Sequence, residues 1–362
     1  MSIFPEGNAI VYCDHAFGTP NGKTAHGLVR RSRRYRILSV IDSELEGQDA
    51  GMYLDGKVAN IPVVADLTSA IRQAYTTGAT PSHFVIGIAP DGGRLENHAR
   101  EMIKEAIAQG LHVDCGLHDF LTDDPELVAL ASQHKVRLRD VRKPKTRSEL
   151  HFFCGKIAEV NSLKIAVLGT DSAVGKRTTA WLLVDALNAA GYSAEMIGTG
   201  QTAWLQGARY GIILDSLVND FVAGEIEHAV WSAWSDLHPA VIVIEGQGSL
   251  LNPAFPGGFE ILAAARPEII ILQHAPARKE YDGFPGYPIH PLEKQIQAIE
   301  LIADRRVVAI TINHEHLPAE SISRQCKAIA AQTGLPTYDV LLEGADQLAA
   351  HIIQNYLQVP TK

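Results

Sequence analysis

One segment constrains the fold more than any other: Val167-Leu-Gly-Thr-Asp-Ser-Ala-Val-Gly-Lys-Arg-Thr-Thr-Ala-Trp-Leu-Leu183. An apolar run of strand character stops at a glycine-containing loop, Gly-Lys follows, and apolar residues at helical spacing take over. A phosphate-binding loop needs this order. Gly169 and Gly175 let backbone N–H groups turn toward an anion, Lys176 adds a point charge, and the following helix directs its N-terminus at the same spot. The segment predicts a parallel α/β sheet with an anion site at one strand end, held by Gly169, Thr170, Asp171, Ser172, Gly175, Lys176, Arg177 and Thr178. It departs from the common loop in glycine spacing and in Arg177, which stands where a Ser or Thr would hold magnesium. Thr178 restores a hydroxyl, but one position on a helix is a turn of about 100°.

Short β-branched runs alternate with segments of helical period twice along the chain. Strands are expected at residues 9–12, 37–41, 84–88 and 111–114, with a helix over 95–109, and again at 163–168, 194–197, 241–244, 268–272 and 307–312. Between the two stretches, Arg139-Asp-Val-Arg-Lys-Pro-Lys-Thr-Arg147 reads as a solvated connection. The fold class is therefore α/β, with an N-terminal domain over 1–150 and a C-terminal domain with a mainly parallel sheet over 151–362.

Charge excludes some functions. With 32 basic against 41 acidic residues and a net charge of −9, the chain has no footprint for nucleic acid or an anionic membrane. No apolar run is long enough to span a bilayer. Cys13, Cys115, Cys154 and Cys326 are scattered without metal-ligand or disulfide spacing, which fits a cytoplasmic setting and gives no metal site of their own. A small-molecule substrate and a homo-oligomer are expected.

Ligands of open α/β sheets lie beyond the carboxyl ends of the strands. Those ends carry Gly198-Thr-Gly-Gln201-Thr202, Glu245-Gly-Gln-Gly-Ser249, Gln273-His274-Ala-Pro-Ala-Arg278 and Asn313-His-Glu315. His274 and Glu245 are the candidate catalytic bases, and Glu245 with Thr178 would be the ligands if magnesium is used. Arg278 suits bidentate carboxylate recognition, and Gln201, Thr202, Asp215 and Asp220 are further candidate substrate contacts. In the first domain, Gly18-Thr-Pro-Asn-Gly-Lys23 is a possible second phosphate loop, and Asp42 ends a strand where a dinucleotide-binding domain places its ribose carboxylate.

Gly169-Thr-Asp-Ser-Ala-Val-Gly-Lys176 and Val243-Ile-Glu-Gly-Gln-Gly248 are similar to the phosphate loop and the VEGAGG strand end of dethiobiotin synthetase, and Asn313 falls where that superfamily often contacts adenine. The longer set, with Arg177, Gly198-Thr-Gly-Gln-Thr202, Asp215, Asp220-Phe221, Glu245-Gly-Gln and His274-Ala-Pro-Ala-Arg278, resembles a bacterial P-loop family that includes D-glutamate N-acetyltransferases. That resemblance implies a Rossmann-like N-terminal domain and a P-loop C-terminal domain. It also implies acetyl transfer from acetyl-CoA to the amine of D-glutamate, within D-amino-acid catabolism. An ATP- and magnesium-dependent enzyme acting on a small carboxylate is the alternative.

Overall fold

The computed structural model describes residues 5–357. The chain divides into two compact units, residues 1–144 with 201–209, and residues 145–200 with 210–362.

The first unit holds six parallel strands: β1 Gly7–Tyr12, β2 Tyr35–Ile41, β3 Val63–Val64, β4 His83–Ile86, β5 His112–Cys115 and β6 Leu138–Asp140. Their order is β3-β2-β1-β4-β5-β6, the Rossmann arrangement, in which the sheet reverses direction of growth between β1 and β4. Successive β1 residues go to opposite faces. Ile10 and Tyr12 pack with Phe84, Ile103 and Ile107, whereas Ala9 and Val11 pack with Phe17, Leu28 and Val40. Both faces are covered, so the central strands β1 and β4 end in near-continuous apolar runs.

The second unit holds seven: β7 Leu163–Gly169, β8 Ala194–Gly198, β9 Tyr210–Gly211, β10 Val241–Glu245, β11 Ile269–His274, β12 Val307–Ile312 and β13 Thr337–Tyr338. Their order is β13-β12-β11-β7-β10-β8-β9, again all parallel. The phosphate-loop strand β7 is central, flanked by β10 and β11. Among the described residues, no helix is long and apolar enough to cross a membrane.

Three features depart from the sequence reading. The two- and three-residue strands β3, β6, β9 and β13 are absent from it, because so short a run carries no period of its own. The basic stretch after residue 138 is not solvated throughout: Arg139 lies in β6 and pairs at 2.6 Å with the fully buried Asp114, and Arg142 donates to the Gly116 carbonyl. Finally, residues 201–209 belong with the first unit. Leu205 is fully buried in that unit's core, Gln206 Nε2 donates to the carbonyls of Gly27 (2.7 Å) and Arg31 (3.0 Å), and the Arg34 guanidinium lies 3.6 Å from the Trp204 ring centre.

Candidate functional site

The phosphate loop joins β7 to the helix Lys176–Ala189. Gly175 caps that helix at φ +105°, a left-handed conformation that excludes most side chains, and no side chain caps the helix start. The helix start therefore directs its dipole at the loop without a competing side-chain cap. Lys176 is buried; its Nζ donates to the carbonyls of Asp171 (2.7 Å) and Gly248 (2.8 Å). Burial pulls its pKa down to about 8, against the opposing pull of Asp171 and Glu245. The loop fits a phosphate: a helix start without a side-chain cap stands beside a cation that donates to two neutral carbonyls.

Asp171 organises the site. Fully buried, it accepts at Oδ1 from Ser172 N (2.7 Å) and Asn252 Nδ2 (2.8 Å), and at Oδ2 from Arg278 Nη1 (2.9 Å) and Asp282 N (2.9 Å). One carboxylate thus ties the loops after β10 and β11 to the loop after β7. Arg278 is engaged with the loop itself: besides Asp171 it bonds Glu315 through Nε and the Ser172 carbonyl at 2.8 Å. It braces the phosphate loop from outside. Arg278→Lys removes this planar fork, and we expect a loss of about 1.5–3 kcal/mol in stability with weaker phosphate binding, measured by denaturant unfolding and calorimetry.

Glu245, at the end of β10, is 5% exposed and accepts from Thr199 N at 3.0 Å. Burial raises its pKa, and the nearby cations Arg177 and Lys176 oppose the rise. A buried carboxyl beside two cations at a strand end is a setting in which working acids and bases are found. His274 is half-buried, its Nδ1 2.9 Å from the Thr170 hydroxyl. Burial, with Lys279, lowers its pKa to about 4, so it is neutral at physiological pH and a weak base.

The other candidates are distributed unevenly. Both polar ends of the Asn313 amide are engaged with Glu315. Asp215 and Asp220 are exposed on the segment after β9. Gln201 and Thr202 lie in the first unit, where the Thr202 and Thr24 hydroxyls meet at 2.9 Å. Asp42 is buried, and its carboxylate is spent on the amides of Phe17 and Glu44. The loop after β1 is a 3₁₀ turn, Pro20–Gly22, capped by Thr19.

Two residues escape the sequence reading. Asn252 is buried on Asp171. Gln273, 2% exposed, accepts at Oε1 from the hydroxyls of Thr179 and Thr311, both at 2.5 Å, a spacing that suits O–H···O and is short for N–H···O. Its amide nitrogen is thereby turned toward Gly175, 3.5 Å from where a Cβ would stand. The sequence signal for Asn252 was its place shortly after a strand end, and for Gln273 its place in the strand-end segment that closes β11.

Comparison with known proteins gives a consistent picture. Residues 43–144 match a Rossmann-like domain of unknown function, DUF1611_N, and residues 151–349 match the P-loop domain of the same family, DUF1611_C. A D-glutamate N-acetyltransferase from Pseudoalteromonas sp is 32% identical over 294 residues, 78% of this chain and 84% of that protein. A second protein of that name, from Tritonibacter scottomollicae, is 30% identical over 284 residues, 77% of this chain and 82% of its own length. The crystal structure of a DUF1611 family protein from Anabaena variabilis is 30% identical, with a TM-score of 0.86 over 96% of this chain and 99% of that one. A Rossmann sheet followed by a phosphate-loop sheet, matched by both domain models and by relatives over more than three quarters of the chain, places the chain in the DUF1611 family.

Proposed function

We propose that this protein transfers an acetyl group from acetyl-CoA to the amine of D-glutamate. The kinship with two D-glutamate N-acetyltransferases over more than three quarters of the chain carries this reading. The site chemistry supports it. The cradle around Gly175 and Lys176 takes the phosphates of coenzyme A as anions. The unprotonated amine attacks the thioester carbonyl, forming C–N and breaking C–S; Glu245 accepts the amine proton and returns it to the departing sulfur as a free thiol. The Gly246 amide is committed to the Val167 carbonyl at 3.0 Å, so oxyanion donors from this turn would be the amides of Gln247 and Gly248. His274 is the second candidate base.

This scheme fixes a pH dependence. Glu245 must be ionised, so kcat/KM rises as pH climbs through its raised pKa. Lys176 must be charged, so kcat/KM reckoned on the free-amine form of D-glutamate falls as pH passes about 8. Lys176→Arg, whose guanidinium stays charged, should move the alkaline limb upward by more than a pH unit. A limb that stays in place in this variant assigns it to another group.

The deciding experiment assays wild type and Arg177→Thr with and without EDTA, following free thiol in one set and ADP in the other. D-glutamate-dependent thiol release that resists EDTA and falls in the variant supports acetyl transfer. Magnesium-dependent ADP formation without thiol release overturns it in favour of ATP chemistry, in which Thr178 and Glu245 would hold the metal.

A further inference from the structure

Three buried polar side chains meet beside the phosphate loop, each from a different element. Gln273 lies near the end of β11, Thr311 in β12, and Thr179 one turn into the helix Lys176–Ala189. None is more than 2% exposed. A methionine and two valines of much the same shape would fill this space with no hydrogen-bonding demand, so burial alone does not select these residues.

The trio specifies one arrangement. Each hydroxyl has a single proton to give, and both give it to Gln273 Oε1, at 2.5 Å. That uses both lone pairs of the oxygen and links the helix to β12 across β11. The amide nitrogen is left facing Gly175. A side chain at Gly175, which stands at φ +105°, would begin 3.5 Å from Gln273 Nε2 and 3.8 Å from Gln273 Cδ. Gln273 holds the other end of the loop with its main chain. It pairs with Gly169, where the loop begins, and its carbonyl accepts from Thr170 N at 2.9 Å. One residue thus bears on both ends of the loop that aims Lys176 and the helix start at an anion, and a satisfied buried network stiffens what it joins.

We infer that Gln273 is a positioning residue for anion binding: oriented by Thr179 and Thr311, its amide sets the shape of the phosphate loop, and Thr311 acts on the loop through it. This rests on the phosphate-loop reading and holds for any phosphate-bearing donor. The Thr311 hydroxyl bonds Gln273 and no atom of the loop, which makes it the handle for a test.

Pyrophosphate binding to the full chain, measured by calorimetry with melting temperatures alongside, provides that test. Gln273→Met keeps the length of the side chain and should weaken pyrophosphate about tenfold. Thr311→Val keeps the shape and should weaken it about threefold, whereas Thr311→Ser, which keeps the hydroxyl, should bind as wild type does. In the Gln273→Met background, Thr311→Val should cause no further loss, because both changes break one connection. Equal losses from Thr311→Val in the two backgrounds overturn the inference. So do lowered melting temperatures with wild-type affinity, which would make the trio a packing feature. If Gln273→Met does not fold, the contrast between Thr311→Val and Thr311→Ser decides alone. If wild type binds no pyrophosphate, the phosphate-loop reading falls and this inference falls with it.

Discussion

Glu245→Gln lowers D-glutamate-dependent thiol release by about 10²–10⁴-fold, the range expected for loss of a positioned general base. The amide keeps an acceptor for the Thr199 N–H, and it removes the only feature of Glu245 that burial penalises, its charge. The stability effect is accordingly opposite to the catalytic one. Because burial raises the folded-state pKa above its unfolded value, the stability associated with protonated Glu245 is complete below the unfolded pKa and is lost as pH rises through the folded pKa. Wild type should lose melting temperature across that window, and the glutamine variant should lose less. A variant that is both inactive and destabilised at every pH would mark Glu245 as a structural residue.

Residues 1–144 expressed alone should not unfold as a cooperative unit. The first unit is complete only with 201–209, which supply Leu205 to its core, Trp204 beneath Arg34, and the two hydrogen bonds from Gln206. The leucine alone sets the scale: Leu205→Ala in the full chain should cost about 2–5 kcal/mol. That is a large share of the roughly 5–15 kcal/mol that holds a domain folded. Denaturant titration of the fragment, compared with the full chain and the point variant, measures both effects. A sharp, native-like transition in the fragment would show that 201–209 merely rests on a finished fold.

These two cases also mark where the sequence was legible. The phosphate loop could be read because its strand, turn, lysine and helix are contiguous, and strands such as β7, β10, β11 and β12 because each is a largely apolar run buried on both faces. Edge strands such as β9 and β13 owe their existence to a neighbour's backbone, not to a pattern of their own. The partners of Asp171 were illegible for a related reason. Asn252 and Asp282 meet it only because β10 and β11 flank β7, an ordering that no local spacing encodes. Arg278 was read as a ligand contact from its charge and place after a strand, whereas the acids that engage it are remote in sequence. Gln201 and Thr202 follow a strand of the second unit yet belong with the first, because apolar Leu205 and Trp204 find their burial there.

The chain's route through its two units has a consequence for biosynthesis. An N-terminal domain commonly folds on the ribosome as soon as its last residue emerges, but here residue 144 is not the last. The segment that completes the first unit arrives only after residues 145–200, with β7 and β8 among them, have been made. At synthesis rates of about 5–20 residues per second, the nascent first sheet waits roughly 3–13 s with the Leu205 position in its core unfilled. Slowing translation across this stretch lengthens that interval, so chaperone dependence and aggregation during expression should track the pace of codons 145–209 more closely than the pace of the codons before them.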